Sequence, residues 1–246
     1  MIYTLSKSWR PAIAMIELIF AIVVMGIVMM SAPMLLNQAR TSTYVGLQQE
    51  SIAAIASQTG MIFTYHWDEE DTNISKGSPI LRVTNGDPEL DEVIPVGTAG
   101  TGLRIGMPNS SSRNFRINIG GRLDATVGLG TDANESSIDD FDDIDDFNGE
   151  VVTLTAVGGS PNNTGDYVDR NILMTATVSY RNDIQNYTQQ NITYTMPPAT
   201  AAATTNIKYF TLNLITTTTA TELDKNITLQ AFSCNIGSYR HQERTY

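Results

Sequence analysis

Between Ser137 and Glu150 the chain reads SIDDFDDIDDFNGE. Asp139, Asp140, Asp142, Asp143, Asp145 and Asp146 put six carboxylates into eight residues. At that density they repel one another unless solvent or a cation separates them. Calcium accepts several oxygen ligands from one flexible loop, so it is the cation this run suits best. The spacing is not that of an EF-hand, so no fixed coordination geometry follows from it. Phe141, Ile144 and Phe147 recur every third residue, which also lets the run dock on apolar surface. Three readings stand side by side: a solvated acidic loop, a calcium site, and a docking surface for a protein partner.

The other residues with chemistry to offer are scattered. His66 and His241 are the only histidines, one expected at a helix end and one in a polar tail, and both read as surface residues. Cys234 lies in a strand-like pattern and reads as a small buried apolar group rather than a nucleophile. GTGLRIG (100–106) loosely resembles a glycine-rich phosphate loop, but Ile105 stands where the third glycine belongs and no helix clearly follows. Arg104, Arg113, Arg116 and Arg122 come without an acid between them, with Phe115 in their midst. Such a stretch either touches nucleic acid, lines a solvated strand face, or pairs with the acidic run; nucleic acid is the weaker reading. Three sequons carry an acid two places before the asparagine, at Asn73, Asn134 and Asn226. That extended form resembles the acceptor site of bacterial N-glycosylation. No nucleophile, base and acid converge in the sequence, so an enzyme is not expected.

The balance of charge narrows the partners. The chain has 246 residues, with 15 Lys plus Arg against 26 Asp plus Glu and a net charge of −11. Residues 1–12 hold Lys7 and Arg10 and no acid, so the remainder carries 13 basic and 26 acidic side chains, a net −13. A chain so charged repels nucleic acid and anionic lipid on average. Its single cysteine excludes an internal disulfide, so the domain must be held by packing, or by packing and a bound ion.

From Ile13 to Leu36 the only charge is Glu17. As a helix this stretch is about 36 Å long, enough to cross a bilayer. Lys7 and Arg10 before it keep the N-terminus on the cytoplasmic side and place the bulk of the chain outside the inner membrane. A secretory signal peptide fits poorly, because the run is too long and no A-x-A-like site follows it. A carboxylate deep in a membrane helix costs about 2.5–3.5 kcal/mol on insertion scales. No cation within the segment offsets it, so the partner must come from elsewhere.

A short basic leader, a small residue and then IAMIELIFAIVVMGI resemble the N-terminus of type IV pilins and type II secretion pseudopilins. The resemblance covers about residues 7–36. It implies that a prepilin peptidase cuts between Ala12 and Ile13 and methylates the new amino group, leaving Glu17 as the fifth mature residue. Glu17 would then pair with the ammonium at Ile13 of a neighbouring subunit. Gly26 also falls where the family has glycine. Three residues depart from the pattern: Ala12 replaces glycine before the cut, Pro11 precedes it, and Ile13 replaces phenylalanine. Pro33 comes one place early and should kink or locally melt the helix. Some pseudopilins hold calcium in an acidic loop, which the aspartate run would match.

Beyond Leu36 the helix is expected to continue to about Tyr65, making roughly 80 Å in all. Val45, Ile52, Ile55 and Ile62 would form its buried stripe. Past HWDEEDTN the pattern turns to period two. Strands are expected at 113–120, 151–157, 172–180, 191–196, 209–215 and 226–234. Met174, Ala176, Val178 and Tyr180 are expected to share one face, as are Ile192, Tyr194 and Met196, and Phe210, Leu212 and Leu214. The organisation expected is a leader (1–12), a transmembrane and assembly helix (13–36), its amphipathic continuation (37–67) and a β-rich periplasmic domain (68–246). The fold class is α+β and pilin-like, a long helix whose first half spans the membrane and whose second half packs on an antiparallel sheet. The expected function is structural: a minor pilin or pseudopilin in a type II secretion pseudopilus or type IV pilus-like fibre, serving protein secretion or surface binding. Its partners would be the prepilin peptidase, other subunits, the inner-membrane assembly platform and the lipid bilayer. An adhesin or DNA-uptake pilin is the alternative, and a membrane-anchored periplasmic enzyme the least favoured.

Overall fold

The structure, a computed structural model, describes residues 10–72, 77–94, 100–115, 121–133, 135–156, 170–185, 190–217 and 224–239. The chain divides into two compact units, Met1–Glu50 and Ser51–Tyr246.

One helix, α1, runs from Arg10 to Ile62. Its 53 residues contain Pro33, yet the helix continues through it, so no melting occurs there. Proline at 33 deletes only the bond to the Met29 carbonyl, and the bonds on either side suffice to carry the helix across. Ser31, Thr41 and Thr43 satisfy their hydroxyls within the helix by donating to the carbonyls of Val28, Asn37 and Ala39. From Ala14 to Leu36 every side chain is exposed. This helix is long and apolar enough to cross a membrane by length and composition, and no described residue covers its most apolar stretch.

The last turns of α1 belong to the second unit. Ser51, Ile55, Thr59 and Ile62 are the buried residues there, at i, i+4, i+8 and i+11. Ile55 is 0 % exposed, whereas Ile52 is 46 % and Val45 43 % exposed. The expected stripe is therefore half right. Ser51, Ile55, Thr59 and Ile62 fall within one narrow arc at about 100° per residue, and Ile52 lies at its edge. Two of the four positions are polar, which hid the stripe from a hydrophobicity pattern; Thr59 meets its own need by donating to the Ile55 carbonyl at 2.8 Å.

The sheet has four antiparallel strands in the order β1-β2-β3-β4, with β1 at Val151–Ala156, β2 at Arg170–Arg181, β3 at Ile207–Thr217 and β4 at Lys225–Cys234. Every neighbour pair is sequential, so the sheet is an antiparallel meander. Register sets the core face: Met174 opposes Leu214, Ala176 opposes Leu212, Val178 opposes Phe210 and Tyr180 opposes Lys208. All of these are buried. On β4, Ile227, Leu229 and Ala231 extend the same face, partly buried. Burying a Phe, Leu or Val contributes about 1.5–3 kcal/mol each. Residues 191–196, expected as a strand, pair with nothing regular, and Ile192 and Met196 are exposed. Pro197 and Pro198 follow directly and cannot donate to a ladder. Residues 113–115 are irregular as well, although Phe115 is buried and its N–H donates to the Gly102 carbonyl at 2.8 Å; 116–120 lie outside the described residues.

The arc on α1 makes a paired forecast. Ile55→Ala should destabilise the second unit by about 2–5 kcal/mol through the cavity it leaves. Ile52→Ala should change stability by no more than about 0.5 kcal/mol. Urea unfolding of the full chain in detergent compares them; equal losses would place the buried arc wrongly.

Candidate functional site

After Ile62 the chain leaves the helix through a turn and becomes extended at His66, which forms a parallel bridge with Asp143. The His66 N–H donates to the Asp142 carbonyl at 3.3 Å, and the Ile144 N–H donates to the His66 carbonyl at 3.0 Å. Residues 66–71 and the aspartate run thus lie side by side. Each stretch carries a short 3-10 turn, Glu69–Asp71 and Asp145–Phe147.

The aspartate run is not one solvated loop. Asp139, Asp140 and Asp142 are exposed, while Asp143, Asp145 and Asp146 are buried. Phe141, Ile144 and Phe147 are buried too, and they dock on the protein's own core. Phe147 stacks edge-on against Tyr65 and Phe141, with ring centroids 5.0 and 5.1 Å apart. Two of the buried acids fold their own run. Asp143 Oδ1 accepts from the N–H of Asp145 at 2.7 Å and of Asp146 at 3.1 Å. Asp146 Oδ2 accepts from the N–H of Asp142 and of Asp143, both at 3.0 Å.

The third reaches a cation. Lys208, on the core face of β3, is 0 % exposed. Its Nζ donates to the Trp67 carbonyl at 2.7 Å, to Asp68 Oδ2 at 2.9 Å and to Asp145 Oδ1. An ammonium has three protons, and all three are used. The Trp67 and Tyr180 rings flank Nζ at 4.6 and 5.5 Å. Asp68 is held from several sides: Oδ1 accepts from the Thr126 N–H and hydroxyl, both at 3.0 Å, and the Tyr180 hydroxyl lies 3.2 Å from Oδ2. Tyr180 donates to the Thr126 carbonyl at 2.7 Å.

One lysine faces more carboxylates than it can neutralise. Burial, with Asp145 next in weight, pushes Asp143 up to about 9. Burial also raises Asp145 against the pull of Lys208, and lifts Asp71 to about 6 although His66 draws it down. Burial works against the Lys208 ammonium, but Asp145, Asp68 and Asp143 together hold it above the usual lysine range. On the outer side, Glu69, Glu135 and Asp142 each offer an oxygen within 4.8 Å of the others. Burial and the nearby Asp142 raise Glu69 to about 7; burial and Asp146 raise Glu135 to about 7. Carboxylates gathered so closely can share protons or hold a divalent cation. This trio takes only Asp142 from the aspartate run; the six aspartates do not converge on one point.

The remaining candidates are placed as follows. His66 is exposed, as expected; its Nδ1 lies 3.0 Å from Asp71 Oδ1 and 3.2 Å from Ser78 Oγ. Both contacts use the same nitrogen, which is not the arrangement of a Ser–His–Asp relay, where the acid and the hydroxyl take opposite nitrogens. Cys234 is half-buried on β4, and burial raises its thiol. In the GTGLRIG loop the Gly102 N–H donates to Glu92, whose carboxylate also holds Arg122, so a carboxylate of the protein takes the place of a phosphate. Arg104 is buried, donating to the Asn235 carbonyl at 2.8 Å and to Asn206 Oδ1 at 2.6 Å. Only Arg113 of the four is exposed among the described residues; Arg116 lies outside them. Asn226 is exposed on β4, and Glu17 on α1; Ala12 and Ile13 lie in the first turn of α1. Asn73, Asn134 and His241 lie outside the described residues.

Sequence reasoning missed Lys208, Asp68, Trp67 and Tyr180 as a group. One signal was available: in KYFTLNLI, Lys208 stands two before Phe210, so the alternation that buries Phe210, Leu212 and Leu214 buries it as well. No protein-family model, curated protein or solved structure matches the chain.

The raised carboxyls fix a pH dependence. Asp143, Glu69 and Glu135 keep protons in the folded state at pH values where the unfolded chain has lost them, so stability falls as pH rises from about 4.5 towards 9. The full chain should therefore melt lower at pH 8 than at pH 5, followed by circular dichroism. Asp143→Asn keeps the acceptor but cannot ionise, and should flatten the slope. A melting temperature that rises over this range would contradict the assignment.

Proposed function

We propose that the chain is a prepilin-like structural subunit, inserted in the inner membrane with its β domain outside. It is cleaved behind Ala12, methylated at Ile13, and added to a type II secretion pseudopilus or type IV pilus-like fibre. One observation carries the reading: from Ala14 to Leu36 the helix is bare along its whole length, and Glu17 is its only charge. A surface so apolar needs lipid before assembly and neighbouring helices after it. A carboxylate at that depth needs a cation, and the freed amino group of Ile13 on a neighbour is one of matching depth. The subunit acts mechanically: an assembly platform adds it at the base, and the fibre lengthens.

The alternatives draw less support. A DNA-uptake role needs exposed arginines, but Arg104 is internal and Arg122 is paired. An adhesin reading rests only on an open cleft of about 270 Å³ beside His66, Trp67 and Asp71. Calcium belongs to the proposal as a clamp on the Glu69, Glu135 and Asp142 trio, which joins the loop after α1 to the aspartate run. A ligand that binds only the folded state raises its stability with concentration. The full chain should accordingly melt higher in millimolar calcium than in chelator, and Glu69→Gln with Glu135→Gln should abolish the shift. Identical melting curves for the wild type in both buffers would exclude the clamp.

Leaving one member of a buried pair without its partner costs several kcal/mol. Glu17→Val removes the membrane penalty, so the subunit should insert normally and yet enter fibres poorly. Ala12→Asp should hold it in the membrane with its leader attached. Immunoblots of sheared fibres and membranes from cells of the native host read both outcomes. Wild-type recruitment of Glu17→Val would defeat the pairing mechanism.

A further inference from the structure

We propose that Lys208 and Asp145 are joined by an intramolecular amide bond that the folded domain forms by itself, with Asp68 carrying the protons. The inference stands on the second unit alone and does not depend on the fibre reading.

The geometry supplies each part the reaction needs. The amine is present and immobile: Lys208 is wholly buried, and its Nζ donates to both Asp145 and Asp68. Water is kept out: Lys208 is wholly buried, with the Trp67 and Tyr180 rings beside Nζ. The two carboxyls differ in their surroundings. Asp68 receives donors on both oxygens, from Thr126 and Lys208, with the Tyr180 hydroxyl 3.2 Å from Oδ2, and is fixed in place as an acceptor. Asp145 receives Lys208 on its side chain and shares a side-chain hydrogen bond with a second acid, Asp143.

Burial raises Asp145, which favours the neutral carboxyl. Asp145, Asp68 and Asp143 hold Lys208 as an ammonium at rest. The reactive amine–acid pair differs from that state by one proton moved along the existing hydrogen bond to Asp145, and burial lowers the cost of reaching it. Holding the two groups in contact also replaces a bimolecular step by an internal one, an advantage equivalent to about 10⁵–10⁸ M.

The step balances without a co-reactant. The Lys208 amine attacks Cγ of protonated Asp145, forming the C–N bond. Asp68 accepts a proton from the nitrogen and delivers it to the departing hydroxyl of Asp145. The C–O bond breaks, one water leaves, and Asp68 returns to its starting state. Nothing is oxidised or reduced. The product fastens the inner strand β3 to the 3-10 turn at Asp145–Phe147, in a chain whose one cysteine forbids a disulfide.

The test is mass spectrometry of the full chain, purified in detergent and denatured. The wild type should be lighter by one water than its sequence requires, whether or not the leader is attached. Trypsin should fail to cut after Lys208 and should release a branched peptide joining the fragment with Asp145 to the fragment spanning Lys208. Lys208→Arg and Asp145→Ala should restore the full mass. Asp68→Asn should do so as well while keeping the wild-type circular dichroism spectrum, which separates loss of the proton carrier from loss of the fold. If these variants do not fold, the wild-type digest decides alone. A wild type of full mass, cut normally at Lys208, overturns the proposal, and a branch at Asp68 or Asp143 overturns its assignment to Asp145.

Discussion

The ammonium of Lys208 sits on the buried face of the inner strand β3, and three stretches of chain take their positions from it. Trp67 and Asp68 bring the loop after α1, Asp145 brings the aspartate run, and Tyr180 is its direct cross-strand neighbour. A lone buried ammonium would cost many kcal/mol. Its three protons must all find acceptors, and the acceptors available lie on the two segments that the His66–Asp143 bridge already sets side by side. Packing of Ile55, Ile62, Phe147 and Phe210 supplies most of the cohesion; the lysine supplies the register. Removing one partner would leave the others charged and unmatched, a loss of about 3–5 kcal/mol for a buried pair.

The same arrangement explains how so many acids fit in a small space. The carboxylates are sorted by depth. Asp143 and Asp146 are taken up by N–H groups of their own turn, Asp145 and Asp68 by the lysine, and Glu69, Glu135 and Asp142 are left to face one another near the surface. Each group answers to a different partner: an added cation meets the outer set first, whereas on acidification Asp143, pushed up to about 9, takes its proton before Glu69 and Glu135, raised to about 7. The helix end belongs to this sorting, because the bridge from His66 to Asp143 fixes where the outer and inner sets meet.

Alternation made much of the sheet legible. β2, β3 and β4 follow from the period-two runs, and the two faces named from those runs are the faces that are buried. The long helix follows from an apolar stretch whose one breaker, Pro33, does not end it. What escaped has a common cause. Ser51 and Thr59 occupy buried positions through hydroxyls bonded locally, a device that hydropathy cannot register. Residues 191–196 alternate well but end on two prolines, so pattern and hydrogen bonding disagreed and bonding prevailed. The aspartate run looked like surface because six charges in sequence suggest water. Its burial depends on Lys208, more than sixty residues away, and on folding geometry that no local window contains.

The bridge at Lys208 has a consequence for how this sequence can change over generations. Its members are Trp67, Asp68, Asp145, Tyr180 and Lys208, which lie far apart in the sequence. A recombination that exchanged one stretch alone would import a carboxylate without its lysine, or a lysine without its carboxylates, and strand a charge in the core. The three stretches should therefore be inherited as a block. Drift between them must pass through paired replacements in which cation and anion disappear together, leaving an apolar pair of the same volume.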